Sequence, residues 1–353
     1  MIMINVLVVD DSAFMRKMIS DFLNSDPSIQ VIGKARNGKE AIEKNEELKP
    51  DVITLDVEMP VINGIDALKS IMSNAPTPTI MLSSTTKEGA ETTIEAMELG
   101  AFDFIAKPSG SISLDIHKVT EDLITKVKLA AKMKVSKLSS LPTVRKRERT
   151  VQMGELSSSS SENGAKKSLV AIGTSTGGPK ALQEVLTVLP ENFPLPILVV
   201  QHMPRGFTKS LSQRLNTLSN IAVKEAEDGD FLQKGTAYIA PGGKHLTIKR
   251  MGTSFVIKLD DSDQVNGHRP SVDKMFESIS DYKMKVIAVI LTGMGSDGTN
   301  GLLQLKNNNE TVAIAESEQT SIVYGMPKSA IQTNKVDFVL NVEDIAPAII
   351  DIV

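Results

Sequence analysis

Short apolar runs alternate with stretches of helical, three-to-four-residue apolar period twice along this chain, and few folds accept that alternation. Runs at residues 5–9, 31–35, 52–55, 79–82 and 103–106 read as strands. Residues 14–24, 38–48, 64–73 and 90–99 read as helices between them, and a last helix opens near Leu114. Five such repeats predict an α/β unit with a parallel five-stranded sheet, whose working crevice lies beyond the carboxyl ends of its strands. The alternation resumes at Ser168, with strands expected at 169–172, 197–200, 286–291, 311–315 and 337–340. That makes a second, doubly wound α/β unit. Between Val223 and Lys258 the pattern shifts to short strands broken by Asp228-Gly229-Asp230, Pro241-Gly242-Gly243 and Met251-Gly252. This predicts antiparallel hairpins inserted into the second sheet, which would then be mixed at one edge.

In the first unit the polar residues that interrupt the apolar pattern sit at strand ends. Asp10 and Asp11 follow the first strand, Asp56 ends the third, Ser83 follows the fourth and Lys107-Pro108 follows the fifth. All converge on one sheet edge. Three carboxylates gathered there repel one another, so they call for a cation, and oxygen-only donors point to Mg²⁺ held by Asp10, Asp11 and Asp56. Asp56 is then the phosphoryl acceptor, with Lys107 neutralising the incoming charge and the Ser83 hydroxyl bonding the product. Solvated strand ends are the plainer alternative, but five polar positions at a single edge favour the functional reading.

These residues carry a resemblance. From about Met3 to Leu129 the chain is similar to a response-regulator receiver domain: paired Asp10-Asp11, Leu55-Asp56 followed by Met59-Pro60 and Gly64, then Ser83 and Lys107-Pro108. The resemblance implies a flavodoxin-like fold, phosphorylation of Asp56 by a histidine kinase, an aromatic switch residue at Phe104 and a cis bond before Pro108.

A length of 353 residues suits about two domains. The expected division is a receiver over 1–128, a flexible linker over 129–167 and a catalytic unit over 168–353. From Lys126 to Thr150, nine lysines and arginines face the single acid Glu148, and a serine run follows at 157–161. A stretch so charged, with no aromatic residue, buries too little apolar area to order itself. A basic run is also compatible with a nucleic-acid or membrane-surface tail. The net charge of -4 argues against nucleic acid as a general partner, and the short apolar run ending at Asp10-Asp11 argues against membrane insertion. The lack of cysteine excludes disulfides and thiolate metal sites, and the four histidines never recur at zinc spacing. The chain reads as cytoplasmic.

In the second unit Gly173-Thr174-Ser175-Thr176-Gly177-Gly178 lies between an apolar run and a helix-like segment opening at Pro179. This G-x-S-x-G pattern fits a sharp turn that lifts a serine above the sheet edge and turns free N–H groups toward a developing oxyanion. A phosphate-binding turn and a plain structural turn are the alternatives. A serine nucleophile needs a base and an acid to orient that base. His202 ends the strand 197–201 at the same sheet edge, whereas His245 sits inside a hairpin strand and His268 in a loop, which makes both weaker candidates. Asp297 follows the strand 286–291 within Thr292-Gly293-Met294-Gly295-Ser296-Asp297-Gly298, a segment whose free N–H groups include that of Met294. The order Ser, His, Asp differs from that of the α/β-hydrolases, so the motif does not imply their fold.

The second half resembles the catalytic domain of the chemotaxis protein-glutamate methylesterase, the CheB family. Carrying motifs are Gly173 to Pro179, Gln201-His202-Met203-Pro204, Ala240 to His245, Arg269-Pro270-Ser271-Val272-Asp273 and Leu291 to Gly298. Receiver, linker and esterase in that order are also the family's architecture. The resemblance implies Ser175 as nucleophile, His202 as base and Asp297 as orienting acid, with Thr176 and the Met294 amide near the oxyanion. It further implies demethylation of glutamyl methyl esters on methyl-accepting chemoreceptors, deamidation of receptor glutamines, a histidine kinase as phosphodonor, and no cofactor for ester hydrolysis. A phosphorylation-controlled binding protein or transcription regulator is the alternative class, but no helix-turn-helix pattern accompanies the basic residues.

Overall fold

The computed structural model describes residues 3–107, 115–133 and 168–353, side chains at 115–118 excepted. The expected cis bond before Pro108 and nearly all of the expected linker lie outside the described residues. The first unit runs β1 (Ile4–Val9), α1 (Ala13–Asn24), β2 (Ile29–Ala35), α2 (Gly38–Leu48), β3 (Val52–Asp56), α3 (Gly64–Asn74), β4 (Thr79–Ser83), α4 (Lys87–Glu98), β5 (Asp103–Ala106) and α5 (Asp115–Ala130). Its sheet has the order β2-β1-β3-β4-β5, all parallel. Helix starts are set locally: Ser12, Asn37, Asn63 and Thr86 each accept a backbone N–H from the first turn. Strands β3 and β4 are buried along their whole length, including Thr54 and Asp56, because helices cover both faces.

The second unit runs β6 (Ser168–Thr174), α6 (Gly178–Leu186), β7 (Ile197–Gln201), α7 (Phe207–Leu218), β8 (Ala222–Glu225), β9 (Thr236–Ile239), β10 (His245–Met251), β11 (Ser254–Asp260), α8 (Val272–Ser280), β12 (Lys285–Ile290), α9 (Thr299–Asn308), β13 (Glu310–Glu316), α10 (Met326–Gln332), β14 (Phe338–Leu340) and α11 (Val342–Ile352). Its main sheet has the order β14-β13-β12-β6-β7-β9-β8.

This sheet is not mixed. Every pair in it is parallel, and the only antiparallel ladder among the described strands, β10 with β11, forms a separate two-stranded sheet. The turn signal Asp228-Gly229-Asp230 belongs to a crossover, not a hairpin. Its backbone bonds to β11, through Gly229 N–H to Ile257 O, Ile257 N–H to Asp230 O and Leu232 N–H to Phe255 O. The crossover is thereby carried across the sheet, so that β8 and β9 join it in parallel.

The two units share an apolar seam. Phe104 on β5 stacks on Phe207 at the start of α7, with ring centroids 4.5 Å apart. Beside them Arg214 on α7 makes paired bonds of 2.7 and 2.8 Å to the Glu98 carboxylate on α4. No helix among the described residues is long and apolar enough to cross a membrane.

Candidate active site

Ser175 follows β6, His202 follows β7 and Asp297 lies in the loop after β12. These three neighbouring strands end level, since Gly173 pairs with Val200 on one side and Ile290 on the other. The chain winds outward from β6 through β7 in one direction and through β12 in the other. The three residues therefore meet where a doubly wound sheet opens a crevice. Ser175 N–H donates to Thr292 O at 3.0 Å, and Gln201 Nε2 donates to Ser175 O at 2.9 Å, so the turn is fixed from both neighbouring strands. Gly293 permits this approach. A Cβ at that position would lie 2.9 Å from Ser175 Cβ and would also meet Met326 Sδ.

His202 Nε2 lies 2.7 Å from Asp297 Oδ2, with side chains only 6% and 1% exposed. The Asp297 carboxylate also accepts from Val272 N–H at 2.7 Å, Ser271 Oγ at 2.8 Å and Asp273 N–H at 3.1 Å. These donors open α8, whose positive end suits an anion. Burial by itself would raise the Asp297 carboxyl, but His202 and the Val272 and Asp273 amides outweigh it and hold the group well below the usual carboxylate range. His202 Nδ1 is buried and, among the described residues, has no hydrogen-bond partner, Ser175 Oγ included. It is the ring nitrogen left to accept a proton.

The Thr176 side chain turns away from the serine: its hydroxyl donates to Asp103 Oδ2 of β5 at 2.7 Å. Met294 follows Gly293, and its N–H bonds no protein acceptor among the described residues. Lys126, counted with the basic run in the sequence, is instead part of the junction between the units. Its Nζ reaches Phe104 O at 2.7 Å and the Asp103 and Asp122 carboxylates at 3.3 Å. Burial lowers the Lys126 ammonium, and the two carboxylates more than reverse that.

In the first unit, one carboxylate oxygen from each of Asp10, Asp11 and Asp56 lies within 4.8 Å of the others. Lys107 Nζ stands 2.7 Å from Asp56 Oδ2 and 3.0 Å from Asp10 Oδ2. Burial, and to a lesser degree Asp10, raises the Asp56 carboxyl to about 6 even though Lys107 opposes the shift. One ammonium against three clustered carboxylates leaves an excess of negative charge, and the donors are all hard oxygens, so the set fits a divalent cation. Ser83 follows Leu82, the β4 partner of Asp56, but makes no hydrogen bond to Asp56 among the described residues. Its hydroxyl lies 3.0 Å from Gly89 O and accepts from Thr93 Oγ1 at 2.6 Å, which turns it toward the start of α4.

With that geometry in place, the comparisons with known proteins decide the family. The CheB methylesterase family model matches residues 170–349 and the response regulator receiver domain model matches residues 6–117. A Geobacillus kaustophilus protein-glutamate methylesterase/protein-glutamine glutaminase is 52% identical over 351 residues, with 99% of each chain covered. This chain belongs to the CheB methylesterase family. The Bacillus subtilis protein of the same description is 52% identical over 352 residues, with 98% of each chain covered. The crystal structure of the Thermotoga maritima CheB methylesterase catalytic domain matches with a TM-score of 0.52 and 47% identity, covering 54% of this chain and 100% of that one.

His268, a weaker base candidate from its loop position in the sequence, lies directly against His202. The His268 ring stacks on His202 with centroids 3.8 Å apart and planes 11° from parallel. A readable signal existed in Asn266-Gly267, the pair that favours a two-residue hairpin turn. Asn266 and Gly267 take φ of 53° and 79°, while Val265 and His268 exchange both backbone hydrogen bonds. His245, by contrast, is structural: its ring nitrogens bond Asp263 O and Ser271 N–H.

Proposed function

We propose that this chain is a phosphorylation-activated hydrolase of the bacterial cytoplasm that converts glutamyl methyl esters on chemoreceptors to glutamate and methanol. Ser175 Oγ attacks the ester carbonyl while His202 Nδ1 accepts its proton. Asp297 keeps Nε2 protonated and stabilises the imidazolium. The N–H groups at Thr176 and Met294 face the developing oxyanion. His202 returns the proton to the methoxide, methanol leaves, and water attacks the acyl-serine with the same base to release glutamate. A glutamine side chain follows the same route with ammonia leaving, which makes deamidation the second activity. The observation that carries this reading is the His202–Asp297 pair, held by the amides of α8 beside the tightly packed Ser175 turn.

The receiver, residues 1–128 on this reading, is joined through 129–167 to the catalytic unit at 168–353. Asp10, Asp11 and Asp56 would hold Mg²⁺, and Asp56 would accept a phosphoryl group from a histidine kinase. Bound there, Mg²⁺ supplies positive charge against the phosphoryl oxygens. Lys107 pairs with the new charge, and the Ser83 hydroxyl leaves Gly89 O for the stronger, charged acceptor. In the unphosphorylated chain Asp103, Phe104 and Glu98 hold Thr176, Phe207 and Arg214, so the receiver covers the crevice. The test is methanol release from methylated receptor membranes, with and without a small phosphodonor. Wild type should respond to the donor and Ser175→Ala should release nothing; methanol from Ser175→Ala at the wild-type rate would refute the assignment.

A further inference from the structure

Resting on the triad just described, the geometry points to His268 as a positioning residue for the hydrolysis: its ring holds the His202 imidazole in the orientation that serves Asp297 through Nε2 and leaves Nδ1 for Ser175. Among the described residues the base has one ring hydrogen bond, to Asp297 at 2.7 Å, while Nδ1 has no partner. A single bond fixes the position of one ring atom and leaves the plane free to swing about it. The flat face of His268, 3.8 Å away and 11° from parallel, removes that freedom. Orientation of this kind matters because proton transfer to Nδ1 needs the nitrogen lone pair directed at the serine, and small misplacements of a reacting group cost large factors in rate.

His268 is itself held. The Asn266-Gly267 turn fixes it against Val265, and the turn is tied to the site it serves. Asn266 Nδ2 donates to Asp273 Oδ2 at 2.9 Å and reaches Asp297 Oδ1 at 3.4 Å. Asp273 in turn accepts Gly301 N–H at the start of α9. The residue that stacks on the base and the carboxylate that orients the base are thus set by a shared framework. Burial, followed by the adjacent His202 ring, pushes the His268 imidazole down to about 4, so it lies against the base uncharged near neutrality and adds no repulsion when His202 takes a proton.

The test uses the full chain and membranes carrying radiolabelled methylated chemoreceptor. His268→Ala should lower kcat by about 10- to 100-fold, the usual effect of losing a group that orients a reacting residue, with KM changed less than about twofold. His268→Gln, similar in size but without a ring, should behave like alanine. His268→Phe, which restores a flat face but has no ring nitrogen, should recover kcat to within about threefold of wild type. The rate at which an organophosphonate labels Ser175 should follow kcat through the series, which loss of packing alone would not produce. Unchanged Mg²⁺-dependent phosphorylation and an unchanged melting profile identify folded variants. A kcat for His268→Ala within about twofold of wild type, or a His268→Phe as slow as alanine, overturns the inference. Ser175→Ala runs alongside: its inactivity beside a fully active His268→Ala refutes the positioning role alone, whereas its activity refutes the triad as well.

Discussion

Acid should loosen the methylesterase unit through His268 in a way that one substitution removes. The native ring titrates at about 4, against 6.5 for an ordinary histidine. Between those values the unfolded chain takes up a proton that the folded ring refuses. Its contribution to stability is therefore complete above the unfolded value and is lost as pH falls toward the folded one. From about pH 7.5 to about pH 5 the loss is about 2 kcal/mol, an upper figure because the ring keeps an edge toward solvent. The charged or titratable neighbours acting on it are His202 after β7, Asp297 after β12 and Lys126 on α5; the first and last disfavour its protonation, and Asp297 favours it. Native-state hydrogen exchange of amides in β6 and β7, read by mass spectrometry and corrected for intrinsic rates, follows this unit's own amides separately from those of the receiver. Wild type should lose about 2 kcal/mol more protection across that range than His268→Phe, since every other titrating group is common to both. Equal losses in the two proteins would refute the reasoning.

Further outcomes concern the rest of the chain. Ser175→Ala and His202→Ala should each lower methanol release by about three orders of magnitude or more, with Asp297→Asn milder; turnover within tenfold of wild type in folded Ser175→Ala would remove it as nucleophile. Gly293→Ala should cost about 1–3 kcal/mol and most of the activity, because its methyl would displace Ser175; a fully active, equally stable variant would show that the turn has room. Acid-labile phosphate should appear on Asp56 only with Mg²⁺, and chelator-resistant labelling, or labelling of Asp56→Asn, would contradict the cluster assignment. Arg214→Glu should raise basal methanol release about two- to fivefold, and adding Glu98→Arg should restore repression; no change in either would exclude the α4–α7 contact as a clamp.

The parts of the fold that follow from local rules were open to reading in the sequence. Strands β3 and β4 are continuous apolar runs ending in Asp56 and Ser83, and a parallel sheet puts such ends on one edge, so the acidic cluster could be assembled without coordinates. Ser175, His202 and Asp297 likewise follow strand ends in the sequence, and the fold brings His202 and Asp297 to 2.7 Å. What escaped depends on pairing between distant segments. Asp228-Gly229-Asp230 has hairpin composition but becomes a crossover, because its backbone finds β11 some thirty residues away. His268 is a loop histidine until the tertiary fold lays it on His202. Lys126 belongs to a basic run in sequence, yet two carboxylates, Asp103 and Asp122, draw it into the junction.

The hydrogen bond from Thr176 to Asp103 ties the residue beside Ser175 to β5, the strand that Lys107 follows. A link of this kind has no preferred direction. If phosphorylation weakens the hold of the receiver and thereby raises affinity for a receptor helix by some factor, occupancy of the crevice by that helix must favour the phosphorylated receiver by the same factor. On the proposed gating the substrate would act as an effector of its own enzyme, favouring the open receiver where ester-bearing helices are dense.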